Sequence, residues 1–503
     1  MSTQTSLTRR QALLLSGAAA AGLTFGSLPK WARSAPANAP SLPIPTLIEA
    51  RNGEPVTLAL QKGFHRFGHG AAVQSTGISS SYLGPVVRVR SGDTIPFRVE
   101  NRLNEDTTLH WHGLLIPSHV DGGPHNTIRP GGVWTPEITI KQPPATTWFH
   151  PHPHGNTARQ VYLGLAGMMI VSDGSDHDRG LPTSYGVDDI PLVLQDKRFG
   201  RTGELVYAPS MMDMMHGFQG DTLLVNGAIG PVATVPAGFV RLRLLNAANA
   251  RNFDLRFSDR RPFFVIAGDA GLLPEPVELR NLVIAPAERY EILVNFSNGQ
   301  PVDLFTGPDI HHESGPGMMM MPMGRRIGSS AEAEVLMQFR PDSALKVSVT
   351  RLPRELSRLA PPDVASAVAW RTFELNPMMG MMGMMRMMGM GGSPQMMGIN
   401  GRSFSMGRVD VTTKLGTSEI WEIQSAAMAH PFHIHGVSFR ILSNGGRKPR
   451  PEQSGWKDVV LVAEQAEILV RFDHPAAPKM PFMYHCHILE HEDHGMMGQF
   501  AVV

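Results

Sequence analysis

Val86 to Glu100 reads VVRVRSGDTIPFRVE, with apolar and polar residues alternating on both sides of a Gly-Asp step, as in a strand pair around a turn. The run leads to Asn101 and then to Leu109-His110-Trp111-His112. Phe239 to Leu245 (FVRLRLL) leads in the same way to Asn246 and then to Phe253 to Phe257 (FDLRF), the same pattern without histidines. Ser418 to Gln424 (SEIWEIQ) leads to Pro431-Phe432-His433-Ile434-His435. The later halves also echo one another, in Ala285 to Phe296 (APAERYEILVNF) and Ala463 to Phe472 (AEQAEILVRF). Three copies of an alternating, turn-rich unit predict an all-β chain of three Greek-key sandwich or barrel domains. Linkers rich in Pro, Ser and charge at Asp173 to Asp189 and Arg351 to Ala369 suggest a division into 40–175, 176–345 and 346–503.

The composition agrees. In 503 residues, 51 Gly and 41 Pro speak for many turns between short strands and against a mainly helical protein. The 45 basic residues nearly cancel the 44 acidic ones, so no excess of Lys or Arg points to nucleic acid or an anionic membrane. Thr8-Arg9-Arg10-Gln11 precedes an uncharged Ala- and Leu-rich run from Ala12 to Leu28, and small residues at Ala35 to Ala39 offer a cleavage site. Residues 1–39 therefore read as a twin-arginine signal peptide. Gly17, Gly22 and Gly26 interrupt a run already short for a membrane span, so the mature chain is expected without an anchor, in the periplasm, as a monomer. The twin-arginine translocase, its partner during export, carries folded proteins, which suits a chain that loads a cofactor before leaving the cytoplasm.

The chemistry sits in four His-x-His pairs, His110/His112, His150/His152, His433/His435 and His485/His487. Alternate residues of a strand face one side, so each pair presents two imidazoles about 6.6 Å apart, a spacing that can straddle neighbouring metal ions. All four pairs fall in the first and third repeats, so eight imidazoles are expected to converge where those units meet. The single Cys of the chain, Cys486, lies between His485 and His487 and faces away from both. His430, His491 and Met496 supply its partners, since two His, one thiolate and a weak axial Met are a blue-copper ligand set. Cys486 would then join two copper centres through a few covalent bonds.

These motifs, HWHG at His110, WFHPHPHG at Trp148, HPFHIHG at His430 and HCHILEHEDHGMM at His485, resemble the multicopper oxidases, and the resemblance covers essentially the whole mature chain. It implies three cupredoxin domains and four copper ions. By motif, His430, Cys486, His491 and Met496 would hold the type 1 copper, and His110 with His433 the type 2 copper. The type 3 pair would take His112, His150 and His487 on one ion and His152, His435 and His485 on the other. Because no ligand is substituted, the resemblance favours an active enzyme over the cell-division accessory proteins that share the fold without the copper ligands. The implied reaction passes four electrons from the type 1 site through Cys486 to dioxygen. Asp121 and Glu492 match carboxylates that serve this oxygen chemistry in relatives as proton relays. The plainer readings are a turn former in Val-Asp-Gly-Gly-Pro and a solvated acid. His154 and His494 fall to neither centre.

Methionine bears on the reductant. Met378 to Met390 reads MMGMMGMMRMMGM and continues to Met396 and Met397, with lesser clusters at Met211 to Met215 and Met318 to Met323. Thioethers suit Cu(I), and Gly at every third place argues against an ordinary core element. The stretch 378–397 is similar to the Met-rich insert of the periplasmic cuprous oxidases of copper tolerance, which makes Cu(I) the expected substrate. One departure stands: Gly380 and Ala426 occupy the places of two carboxylates of the cuprous oxidase substrate site, although Met428 remains. A laccase-like phenol oxidase is the alternative, a non-enzymatic copper store a third reading, and a ferroxidase the least expected.

Overall fold

A computed structural model describes residues 39–68, 70–309, 333–377, 397–425 and 428–503. Residues 1–38 of the expected signal peptide, the Met clusters at 318–323 and 378–396, Gly380 and Ala426 lie outside the described residues. The chain is all-β, as expected, and folds into six sheets in three facing pairs.

Each repeat builds one sandwich, and the same pairing recurs in each. Thr94–Asn101 lies parallel to Val56–His65, Phe239–Asn246 parallel to Asp189–Lys197, and Ser418–Ser425 parallel to Ala367–Pro377. The echo in the later halves is structural as well. Arg289–Asn295 runs antiparallel to Phe239–Asn246, and Gln465–Arg471 antiparallel to Ser418–Ser425. The facing sheets close on apolar cores: Val87, Met169, Leu58 and Phe97 in the first unit, Leu242, Ile292, Leu255 and Phe339 in the second, Trp421, Ile468, Phe432 and Phe500 in the third. A smaller cluster containing Trp148, Val193, Leu245 and Val459 draws on all three units and packs them together.

The repeated asparagine has one job done twice. Asn101 donates from Nδ2 to the carbonyls of Glu105 and Ile128 and accepts the Leu103 N–H, while Asn246 donates to Arg251 and Ile284 and accepts the Ala248 N–H. Both are buried, so the side chain satisfies backbone groups that leave the strand end without ladder partners.

The expected strand pair at Val86 to Glu100 is corrected. Val86–Arg90 belongs to the sheet with Leu47–Glu49 and Gly167–Ser172, whereas Thr94–Asn101 belongs to the sheet facing it. The Gly-Asp step is therefore a corner between sheets; local alternation reveals that two segments are strands, not which strands they join. Among the described residues, no helix is long and apolar enough to cross a membrane.

Candidate metal centre

The four His-x-His pairs sit at neighbouring strand ends. His110 bridges His150 in the first unit, and His433 lies opposite His485 in the third. The ring centroids within the pairs are 5.6, 6.1, 5.0 and 5.4 Å apart. The two units interdigitate: His110 stacks on His435 at 3.8 Å and His112 on His433 at 3.7 Å.

Potential ligand atoms of His152, His435 and His485 all lie within 4.8 Å of one another, and so do those of His110, His112 and His150. The ring of His487 is 5.1 Å from that of His112 and 5.4 Å from that of His150. His110 and His433 are 5.9 Å apart, ring to ring.

The outer nitrogens of four of these rings are tied to backbone carbonyls. Nδ1 donates to a carbonyl in His110 (Asp121, 3.0 Å), His150 (Pro151, 2.8 Å), His433 (Asp458, 2.8 Å) and His485 (Cys486, 3.0 Å). A proton fixed on Nδ1 leaves the Nε2 lone pair turned inward as a ligand. The Nε2 atoms of His110 and His433 and both nitrogens of His487 are buried without a hydrogen-bond partner among the described residues. Orphaned lone pairs facing one another fit a metal and little else. Burial pushes the imidazoles of His112, His150, His152, His433, His435 and His487 well below their ordinary range, and that of His485 to about 3. The rings are neutral and free to coordinate.

Three buried carboxylates bridge the two units, each touching one imidazole from either side. Asp121 Oδ2 is 2.7 Å from His435 Nδ1 and 3.3 Å from His110 Nδ1. Glu492 reaches His152 Nδ1 at 3.3 Å and His485 Nδ1 at 3.2 Å. It is not a solvated acid: it is buried, and that burial, with Asp493 beside it, raises its carboxyl well above the usual range. Asp121 is a turn residue as well, since its N–H donates to Ser118. The third bridge, Asp458, which the sequence reading did not single out, accepts from His112 Nε2 at 3.2 Å. Lys457-Asp458 reads in sequence as an ordinary charged turn, and nothing local announces the role.

The second cluster lies in the third unit's core. Ligand atoms of His430, Cys486 and His491 lie within 4.8 Å of one another, with Cys486 Sγ 3.7 Å from His491 Nδ1. Met496 is fully buried in the same core, and its carbonyl accepts the Cys486 N–H. Ser425 Oγ is 2.9 Å from His430 Nδ1, and the Met215 carbonyl accepts from His491 Nε2 at 3.1 Å. Burial raises the thiol, and its location between His485 and His487 connects the two clusters through the chain itself. His154 packs on Phe404 and His494 donates to Glu490, so neither joins a cluster.

Comparison with known proteins gives the class. Three family models described as multicopper oxidase match residues 59–176, 203–306 and 375–503. The chain belongs to the multicopper oxidase family, and family and fold together imply copper binding. Among solved structures, it is similar to the laccase-like multicopper oxidase CueO of the lignin-degrading bacterium Ochrobactrum sp., described as active on lignin model compounds and lignosulfonate. That match has 49% identity and a TM-score of 0.84 over 92% of this chain and 100% of that one.

The curated relatives carry another name. Cell division protein FtsP of Xenorhabdus nematophila is 39% identical over 498 residues, and that of Escherichia coli K12 is 38% identical over 499, each match covering 99% of both chains. These relatives overturn the expected cuprous oxidase or laccase of copper tolerance. They also overturn the inference that an intact ligand set separates this chain from the cell-division proteins. A ligand set establishes a capacity for metal; it does not establish turnover, because one fold hosts unrelated functions.

Proposed function

We propose that this chain is a cell-division protein of the periplasm that holds copper. The end-to-end match to proteins named Cell division protein FtsP carries this reading. The copper assignment is the one the motifs imply: His430, Cys486, His491 and Met496 would hold a type 1 ion, His110 and His433 a type 2 ion, and the two type 3 ions would fall to His112, His150 and His487 and to His152, His435 and His485. Support comes from the burial of the rings and from the partnerless Nε2 atoms of His110 and His433 and both nitrogens of His487 among the described residues. Copper at such ligands supplies one-electron redox chemistry. The protein's own part is to bring imidazoles of the first and third units together, so copper held there would join those two units. Asp121 and Glu492 orient the imidazoles they bridge. The division into 40–175, 176–345 and 346–503, and export of a monomer through the twin-arginine translocase by residues 1–39, complete the reading.

The test is replacement in a bacterium deleted for its own FtsP, with cell length under division stress as readout. Restored cell length is the expected result. A persistent division defect, with the protein exported and folded, would overturn the cell-division role. Metal analysis of the purified chain tests the copper separately: about four ions and a blue colour are expected from the ligand sets.

A further inference from the structure

Of the three carboxylates that bridge the histidine cluster, only Asp458 has an arginine or lysine within 4 Å among the described residues. Arg289, on the second unit's strand Arg289–Asn295, grips it in two places, Nη1 to Oδ1 at 2.6 Å and Nη2 to Oδ2 at 2.5 Å. The rest of the guanidinium is equally committed: Nε donates to Thr146 O at 3.2 Å, Nη1 to Ala287 O at 3.0 Å and Nη2 to Asp269 O at 3.0 Å. All five N–H donors are used, on acceptors from all three units, and the side chain is fully buried. Asp269 accepts the Arg289 backbone N–H at 2.8 Å and pairs with Lys457 at 2.9 Å, which pairs in turn with Glu288 at 2.9 Å. Gly113 makes room: a Cβ there would stand 2.6 Å from Arg289 Nη2 and 2.8 Å from Asp458 Oδ2.

The place of this clamp is specific. Asp458 accepts from His112 through its carboxylate and from His433 through its carbonyl, and those two rings stack across the first and third units. His112 is held at Nε2, so its Nδ1 turns inward toward His150 Nε2, 3.4 Å away. In the other rings with an anchored outer nitrogen, that nitrogen is Nδ1. The inverted ring is the one that meets the clamped acid. Under the copper assignment, His112 and His433 serve two different ions.

We propose that Arg289 and Asp458 are positioning residues for the metal cluster: the unit that supplies no ligand fixes, through this pair, the orientation of His112 and His433 and so the retention of the ions they hold. The proposal rests on the copper reading above. Partners of metal-ligating histidines typically contribute about 10- to 100-fold in metal affinity.

The experiment uses copper-loaded full-length protein as wild type, Asp458→Asn, Arg289→Lys and the double variant Arg289→Met with Asp458→Asn, which removes both buried charges together. Copper release to a chelator is followed by metal analysis, the type 2 signal by electron paramagnetic resonance, the type 1 site by its blue absorbance, and the copper-free fold by its thermal midpoint. Asp458→Asn and the double variant should release cluster copper about 10- to 100-fold faster and alter the type 2 signal, with the blue absorbance kept; Arg289→Lys should fall between. If the double variant does not fold, Asp458→Asn and Arg289→Lys decide. Release within twofold of wild type would overturn the proposal, as would a lower copper-free midpoint with unchanged release. A wild type that takes up no cluster copper would overturn the copper reading and this proposal together.

Discussion

Phe253–Phe257 in the second unit and His430–Ile434 in the third occupy corresponding places, each flanked by two antiparallel neighbours. Their inward residues are alike, Phe253, Leu255 and Phe257 in one and Phe432 and Ile434 in the other, all in apolar cores. The outward residues differ. The second unit places Asp254 and Arg256 there as an ion pair with the Arg256 side chain 47% exposed, and the third places His433 and His435, both buried. These inward apolar residues therefore do not decide where the histidine cluster forms, although the third unit's interior also holds His430 beside Cys486 and His491. What makes the cluster is another unit covering the outer face, with acceptors for most of the outer ring nitrogens and an imidazole opposite.

The largest effect should come from exchanging these faces. His433→Asp with His435→Arg would put two charges among imidazoles from both units and remove the rings that the Asp458 carbonyl and the Asp121 carboxylate now anchor. We expect copper to fall from about four ions to about one, the type 1 ion, because its ligands are untouched. Stability should drop by about 3–5 kcal/mol, the usual cost of a buried charge without its partner. Metal analysis and urea unfolding check both, and a variant that kept its cluster copper would show that the covering face is not what builds the site.

The exchange also marks how far the sequence could be read. The four His-x-His pairs and the Cys486 set were legible because strand alternation decides which residues share a face, and the structure brings those residues into two clusters. The bridging role of Asp458 was not, since its arginine partner lies 169 positions away and only the packing of three units joins them. The corner at Ser91 to Asp93 was misread as a hairpin for the same reason: periodicity is local and pairing is not. Function was the least legible. Ligands name a cofactor, and the relatives alone connect this chain to cell division.

The second unit turns a buried ion-pair cluster of its own toward the first and meets it through the Thr146 hydroxyl. Glu291 takes Arg241 at 2.5 Å, Arg243 at 2.8 Å and the Thr146 hydroxyl of the first unit at 2.6 Å, all buried. Burial alone would raise this carboxyl, but Arg241 and Arg243 hold it at about 2. A depressed folded pKa means stability that is present above the ordinary carboxylate value, about 4.3, and lost as pH falls toward 2, an amount on the order of 3 kcal/mol. Glu291→Gln should therefore cost about 3 kcal/mol at pH 7 and flatten the decline in stability below about pH 4, as followed by urea midpoints. Chelation should weaken the interface of units one and three, acid the buried ion-pair cluster that the second unit places beside the first. If Glu291→Gln left the acid limb unchanged, other carboxylates would have to carry it.

A smaller effect separates scaffold from site within the shared pattern. Asn101→Ala and Asn246→Ala each remove three buried hydrogen bonds of matching geometry, so each should cost about 1–3 kcal/mol by chemical unfolding, whether or not its unit holds metal. Unequal costs, with Asn101 dearer only when copper is bound, would mean that the first-unit asparagine supports the cluster and not just the fold.

The smallest change should come from giving the second unit the residues it lacks. Asp254→His with Arg256→His recreates His-x-His on the outer face of Phe253–Phe257, yet Arg256 is half exposed and, among the described residues, no histidine ring contact is made to this strand. Arg256 is half exposed although Asp254 is buried, and a pair with one partner in solvent contributes about 1 kcal/mol. We expect a stability change of about 1 kcal/mol or less and no added copper, because two rings spaced along one strand supply too few ligands and no anchored Nδ1 protons. Equilibrium dialysis against copper at a concentration that saturates the wild type would check this. An additional tightly held ion in the variant would show that His-x-His suffices on this strand, and the facing unit would lose its place in the account.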